Sequence, residues 1–271
     1  MTTVSTSRLT IPAIGFGTWE LDEVEDNVRH ALDVGYRHLD TAQAYGNEHE
    51  VGAALAASDV DRSEVFVTTK VWRDNAGADA VVASTERSLR DLQVDHVDLL
   101  LLHWPSDDIA PLGETLDALH RLQERELTRH IGVSNFPAAR LAEAIELAPI
   151  VTDQVEHHPY LSVDPIREVA HANDVAITAY SPIARGTVLD DEAIGRIATQ
   201  HDATPAQVAL AFLLTQRDTV VIPKSNTPER ITENLAAGDL QLTDVEVEEL
   251  ATLARGHREV DPPFAPAWDA A

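Results

Sequence analysis

VDLLLL, residues 97–102, runs directly into His103, Trp104 and Pro105. A short, nearly unbroken apolar run of this kind reads as a strand buried on both faces, the type used in parallel sheets. Upstream, VFVTTK (Val65–Lys70) is β-branched and aromatic, which also reads as a strand. Between the two, Val81, Val82, Leu89 and Leu92 recur with helical period, predicting a helix over Val81–Leu92. Downstream come a helix at Leu112–Leu127 and a strand at His130–Ser134, and Pro137 opens a helix reaching Leu147.

The alternation continues in both directions. Toward the N-terminus lie a strand at Ala13–Gly17, an acidic helix at Glu23–Val34, a strand at His38–Asp40 and a helix at Glu48–Ala57. Toward the C-terminus, strands at Val151–Val155 and Ala176–Tyr180 flank a helix at Pro165–Asn173. Thr204 before Pro205 reads as a capped helix start, with the helix ending near Arg217. Val220–Ile222 is the last strand, and Thr227 caps a helix that Pro228 starts and Gly238 stops. Eight strand–helix units with short connections predict an α/β fold of class (β/α)8, a TIM barrel, formed by residues 1–271 as a single domain. An open doubly wound sheet is the alternative, but no G-x-G-x-x-G follows the first strand and no phosphate-binding glycine loop occurs. Thr243–Ala254 reads as an extra C-terminal helix. The tail Asp261–Ala271 (DPPFAPAWDAA) is either a frayed end or a flap over the barrel mouth.

Composition narrows the function. The chain has 271 residues, no cysteine and a net charge of −26. Disulfides, thiolate nucleophiles and Cys-ligated metals are excluded. Neither nucleic acid nor an anionic membrane suits so acidic a surface. No leader-like or spanning apolar run occurs, so a cytoplasmic protein is expected. Lys70 and Lys224 are the only lysines, against 46 acidic residues. That bias resembles proteins of a high-salt cytoplasm, where a Debye length of ~3 Å at molar salt screens self-repulsion.

Polar residues stand at the ends of successive strands: Asp40, Lys70, His103, Ser134-Asn135, Gln154, Tyr180-Ser181 and Lys224-Ser225. In a (β/α)8 barrel all strand C-termini open on one face, where active sites form. Asp40, Tyr45, Lys70 and His103 then converge as an acid, a phenol, an ammonium and an imidazole. Lys70 beside Tyr45 should lower the phenol's pKa and make it a usable general acid. Each residue alone also has a structural explanation: Asp40 as a helix cap, Tyr45 as a rim aromatic, His103 as a satisfied core histidine.

Several stretches resemble the aldo-keto reductase family. GYRHLDTAQAYGNEHEVG (Gly35–Gly52) is similar to its first signature, and VTTKVW (Val67–Trp72) and LLLHWP (Leu101–Pro105) to its lysine and histidine strands. IGVSNF (Ile131–Phe136) resembles the second signature and VVIPKSNTPERITENL (Val220–Leu235) the third, with DQVEHHPYL (Asp153–Leu161) and AYSPIARG (Ala179–Gly186) between them. Size and short loops suggest the branch that includes 2,5-diketo-gluconate reductases.

The resemblance implies NADPH-dependent reduction of an aldehyde or ketone, with NADH as the weaker alternative. Tyr45 would donate the proton, Lys70 and Asp40 would tune it, and His103 would orient the carbonyl. Gly17, Thr18, Ser134, Asn135, Gln154 and Tyr180 would hold the nicotinamide end, with Ser181, Ile183 and Gly186 under the pyrophosphate. Lys224, Ser225, Asn226 and Arg230 would surround the 2′-phosphate, with Glu233 and Asn234 near the adenine. The chemistry of that last set also makes an anion site in its own right. Trp19, Trp72 and Trp104, with His103, would form an apolar substrate mouth; rim packing is the structural alternative for Trp72 and Trp104. The partner is a small carbonyl compound, and a monomer is expected.

Asp153 departs from the pattern, standing where Asn usually precedes the Gln; if it faces the cofactor, it weakens binding or shifts charge preference. Ile183 and Arg185 are further variants. A metal is not expected: His157 and His158 are adjacent on a strand and point to opposite faces. Two rival functions remain, a cofactor-binding sensor on the same barrel and a metal-dependent barrel hydrolase.

Overall fold

A computed structural model describes residues 2–269 of the chain. Eight parallel strands pair in chain order: β3 (Phe16–Gly17), β4 (His38–Asp40), β5 (Phe66–Val71), β6 (Val97–Leu102), β7 (Thr128–Ser134), β8 (Ile150–Glu156), β9 (Ala176–Tyr180) and β10 (Thr219–Val221). Between them run the helices α1 (Val24–Val34), α2 (Glu48–Ala57), α3 (Ala78–Asp91), α4 (Leu112–Glu124), α5 (Ala138–Leu147), α6 (Asp164–Ala172), α7 (Glu192–Gln200) and α8 (Pro205–Leu214). After β10 come α9 (Pro228–Ala236) and α10 (Asp244–Ala251).

The two ends of the series meet and close the ring. Ile14 bridges Val221 in parallel, Gly15 N–H donates to Val221 O at 2.8 Å, and Val221 N–H donates to Ala13 O at 2.9 Å. Gly17 N–H reaches Pro223 O at 3.0 Å. A side chain there would bring a Cβ to 3.0 Å from Ile222 O, so the seam needs glycine. The predicted (β/α)8 barrel is thus the observed fold.

The apolar run in β6 explains itself. Leu100 and Leu102 pack outward under the helices, while Leu99 and Leu101 point into the barrel with Val151, Ala176, Val220 and Ile222. Leu9 and Ile11 complete that inner cluster. They belong to a hairpin missed from sequence, β1 (Thr3–Ser5) paired antiparallel with β2 (Thr10–Pro12). Its connection, Thr6–Leu9, has none of the Asn-Gly or Asp-Gly signals that mark tight hairpins. Helix α7 was also missed; its EAIGRIATQ carries a mid-helix glycine, and Asp191 starts it by accepting from Ala193 and Ile194 N–H.

Helix ends differ by a few residues from expectation. Thr204 does cap α8, in a reciprocal capping box with Gln207. Thr227 occupies the N-cap position of α9, but its side chain accepts no capping bond, and Ser225 Oγ receives the Thr227 N–H instead. No helix among the described residues is long and apolar enough to cross a membrane.

Candidate active site

The C-terminal ends of the strands open into one cleft of about 870 Å³. At its floor, Lys70 from β5 is wholly buried, and its ammonium has three acceptors. Nζ donates to Asp40 Oδ1 at 2.5 Å, to the Thr41 carbonyl at 2.8 Å and to Tyr45 Oη at 3.2 Å. Three donors are thus matched by three acceptors, which a burial this complete demands. Asp40 ends β4, and its second oxygen accepts from Gln154 Nε2 at 2.7 Å. Tyr45 closes a short 3-10 turn, Gln43–Tyr45. Because its oxygen accepts from Lys70, its own O–H remains free for the cleft.

Burial pushes the Tyr45 phenol above its ordinary 10.0; Lys70 opposes that shift and Asp40 reinforces it. The expected lowering by Lys70 is therefore present, but desolvation outweighs it and the net direction is upward. Burial works to lower Lys70, but Asp40 and Tyr45 prevail and its pKa is raised. His103 is buried beside them, edge-on to Tyr45 at 5.8 Å and to Trp72 at 5.3 Å between ring centroids. Desolvation, then Lys70, holds its imidazole well below the usual 6.5, so it is neutral at pH 7. Its Nδ1 is buried without a partner, which leaves Nε2 as the polar atom available to a ligand.

A polar chain extends from this floor. Ser134 Oγ donates to Gln154 O, and Asn135 Nδ2 donates to His103 O and Ser134 Oγ. Asn135 Oδ1 accepts from Tyr180 Oη at 2.8 Å, fixing the Tyr180 ring against the cleft. Thr18 is tied to the Asp40 carbonyl through its N–H and its Oγ1. Asn47, not singled out from sequence, joins Thr18 O to Thr41 Oγ1 and so fixes β4 relative to the strand before it.

Beyond Tyr180 the cleft is lined by Ser181, Ile183, Arg185 and Gly186, and it ends at Lys224 and Arg230. Glu20, Asn135, Ser181 and Arg185 all line it with positive φ, and Gly186 has φ 99°. Such backbone concentrates at ligand sites, where main-chain groups must face inward. Neither Lys224 nor Arg230 makes an ion pair or side-chain hydrogen bond among the described residues. In a chain this acidic, two unpaired cations at one end of a cleft suit an anionic ligand group. Ser225, Asn226, Glu233 and Asn234 lie beside this end but do not line the cleft. Asn226 is engaged by Asp22 on both sides of its amide, at 2.6 Å and 3.1 Å.

Trp72 and Trp104 form the other end together with the tail. Phe264 stands edge-on to both, at 5.8 Å and 5.4 Å, and Arg73 lies over its face at 4.8 Å. The tail is thus a docked cap over the mouth among the described residues. Trp19 stands apart from this cluster, under the Arg185 guanidinium at 4.7 Å.

Asp153 does not face the cleft. It alternates with Gln154 on β8 and points to the helix side, where Oδ1 lies 3.5 Å from Phe136 N and Oδ2 has no partner among the described residues. Burial pushes its carboxyl well above the usual range, the Phe136 N–H opposes this and Asp269 adds to it; because the side chain lies on the helix side, it does not meet a ligand in the cleft. His157 and His158 are both buried in hydrogen bonds, to Leu161 O and Gln216 for one and to Glu156 for the other.

A family model described as Aldo/keto reductase family matches residues 13–255. A methylglyoxal reductase, DkgB, from Salmonella typhi is 42% identical over 268 residues, covering 96% of this chain and all of that protein. An aldo-keto reductase of Mycolicibacterium smegmatis is 40% identical, over 92% of this chain and 91% of its own length. A crystal structure provisionally named 2,5-diketo-D-gluconic acid reductase B superposes with a TM-score of 0.96 at 44% identity, covering 100% of this chain and 98% of its own. The aldose reductase of Schistosoma japonicum gives 0.89 at 32% identity, over 96% and 94%. With a match running from the strand that closes the barrel to the segment leading into the tail, the chain belongs to the aldo/keto reductase family.

Proposed function

We propose that the protein is an NADPH-dependent carbonyl reductase acting on small aldehydes or α-dicarbonyls. One observation carries this reading: a buried ammonium whose donors are shared among a carboxylate, a backbone carbonyl and a phenol at the floor of a cleft. A bound reduced nicotinamide would supply the hydride. Tyr45 O–H, protonated at neutral pH, donates the proton to the carbonyl oxygen as charge develops there. Lys70 stabilises the phenolate left behind, and Asp40 holds Lys70 in place. The neutral His103 imidazole orients the carbonyl. In this reading Ser134, Asn135 and the side-chain carbonyl of Gln154, whose amide nitrogen is taken by Asp40, recognise the carboxamide beside the fixed ring of Tyr180. The methylglyoxal reductase named above makes α-dicarbonyls the first substrates to try. The test is NADPH oxidation at molar KCl against aldehydes, diketones and keto-sugars without added metal. Failure of NADPH to bind by fluorescence titration removes the reading.

Coenzyme choice rests on Lys224 and Arg230, because only NADPH carries a 2′-phosphate for those cations. Arg230→Ala should raise the NADPH Kd by roughly 10–100-fold, the usual size of one charge-assisted contact, with little effect on NADH. Titrations with both coenzymes check this; equal effects move Arg230 away from the phosphate.

The same reading takes the chain as a single-domain cytoplasmic monomer adapted to high salt, with no nucleic-acid or membrane partner. Its 46 acidic residues against 20 basic ones predict a melting temperature that climbs steeply from dilute buffer to molar KCl. A thermal melt that stays flat across that range contradicts the salt adaptation.

A further inference from the structure

The cleft has one wall without regular secondary structure. Val260, Pro262 and Phe264 line it, and they belong to the tail that follows α10. Irregular backbone must still find partners for its buried N–H and C=O groups, and such partners fix its place. Two sets do so here. At the far end, Asp269 accepts from Ala138 N–H at 2.8 Å, at the start of α5. Trp268 lies under the Arg258 guanidinium at 3.7 Å and donates to Asp261 at 3.1 Å.

At the near end Arg255 and His257 N–H first meet the Tyr160 carbonyl at 3.1 Å each, and a single carboxylate then takes the two amides next to the cleft. Glu156, the last residue of β8, has 0% exposure. Its Oε1 accepts from Glu259 N–H at 2.6 Å and from His158 Nε2 at 3.1 Å. His158 Nδ1 accepts from Tyr160 N–H, which places the ring proton on Nε2 and makes the donation to Glu156 consistent. Its Oε2 accepts from Val260 N–H at 2.9 Å, with Arg258 at 3.7 Å. Two consecutive tail amides therefore end on one buried side chain. Glu156 pairs with Tyr180 in register and lies two residues beyond Gln154, so it rides on the same rigid strand as the cleft floor.

We propose that Glu156 is a positioning residue that sets the tail wall of the carbonyl pocket, and that this wall selects substrates carrying an aromatic-sized apolar group. The proposal rests on the carbonyl-reductase reading above. Four residues after the clamped Val260, Phe264 meets Trp72 and Trp104, and Trp72 in turn stands edge-on to His103 at 5.3 Å. Loosening the tail thus disturbs the apolar wall, while Asp40, Lys70 and Tyr45 keep the hydrogen bonds that hold them to one another. A large apolar substituent feels the change; a small dicarbonyl does not.

The test is Glu156→Gln in the full chain. The amide offers an NH2 where an oxygen faced a backbone N–H, so one tail bond is replaced by two opposed donors. The KM for para-nitrobenzaldehyde should rise roughly tenfold or more, the scale of one lost buried hydrogen bond. Its kcat, the NADPH Kd and the kcat/KM for methylglyoxal should stay within about twofold, as expected when only substrate binding is altered. Hydrogen exchange at Glu259 and Val260 should accelerate. Phe264→Ala should raise the same KM, and Glu156→Gln should add little on that background, since both act through one wall. Where Glu156→Gln does not fold, Glu156→Asp, which keeps the charge but withdraws it, is read by the same measures.

Unchanged aromatic KM with unchanged amide exchange overturns the proposal. So does an equal loss of kcat with both substrates, or full additivity with Phe264→Ala. A native enzyme that reduces neither carbonyl sinks the reductase reading instead, while amide exchange still reports whether Glu156 anchors the tail.

Discussion

Tyr45→Phe lowers kcat by roughly 10²–10⁴-fold, the range for a lost general acid, while the fold and NADPH affinity stay near native. Phenylalanine keeps the ring that meets His103 edge-on at 5.8 Å and removes only the oxygen. Lys70 loses one acceptor but retains Asp40 and the Thr41 carbonyl, so the buried ammonium stays paired. The pH dependence identifies the donor independently. The proton-donating form of Tyr45 is the protonated one, and burial raises its pKa above 10.0. Reduction by the native enzyme should therefore be flat through neutral pH and fall only as pH rises past the ordinary phenol range, about 10. His103, held well below 6.5, would be a donor only in acid and would lose its proton before neutrality. A profile that falls between acid and neutral pH, with near-native turnover by Tyr45→Phe, would transfer the role to His103.

The second large effect is an asymmetry between the two lysines. Lys70→Arg should lose roughly 10²-fold or more in kcat/KM although the charge is retained. Its slot is closed on all sides: 0% exposed, with a compact ammonium whose three donors meet acceptors at 2.5, 2.8 and 3.2 Å. A planar guanidinium brings five donors and greater bulk to the same three acceptors. Lys224 is half-buried at the open end of the cleft and has no fixed partner among the described residues. Lys224→Arg should stay within about tenfold of native kcat/KM, because a guanidinium also binds phosphate. Steady-state kinetics at high KCl separate the two, and a fully active Lys70→Arg enzyme ends the assignment of Lys70.

The barrel was legible because its strands are chemically loud. VDLLLL and VFVTT leave little choice of conformation, and each ends in a polar residue whose phase follows from strand direction. The hairpin of β1 and β2 was silent because its turn residues are ordinary; α7 was not silent, since Ile194, Ile197 and Ala198 recur at helical spacing behind the Asp191 cap, and Gly195 lowers helix propensity without breaking that period. At the site, residue types and spacing gave Asp40, Tyr45, Lys70 and His103. They did not give the Thr41 carbonyl, a backbone group that carries no residue signature, nor the Gln154 contact with Asp40 across 114 positions. The direction of the Tyr45 shift was misjudged for a related reason. A neighbour's charge can be guessed from a motif, but desolvation depends on how the whole rim packs. Asp153 was ambiguous only in which way it pointed, and one residue of strand phase decided that.

The seam at Ile14 and Val221 also has a consequence for how the protein is made. The cleft draws Gly17, Thr18 and Trp19 from the end of the first barrel strand and the residues after it, and Ile222, Lys224 and Arg230 from the segment and helix that follow the last. A chain emerging from its N-terminus holds one half of that border for most of its synthesis with nothing opposite it. Contacts this distant in sequence form late and slowly. No ligand bridging the two halves can stabilise a nascent chain until residues near Arg230 have left the ribosome. Until then, the unfinished barrel must be kept from aggregation by its charge and by whatever chaperones attend it.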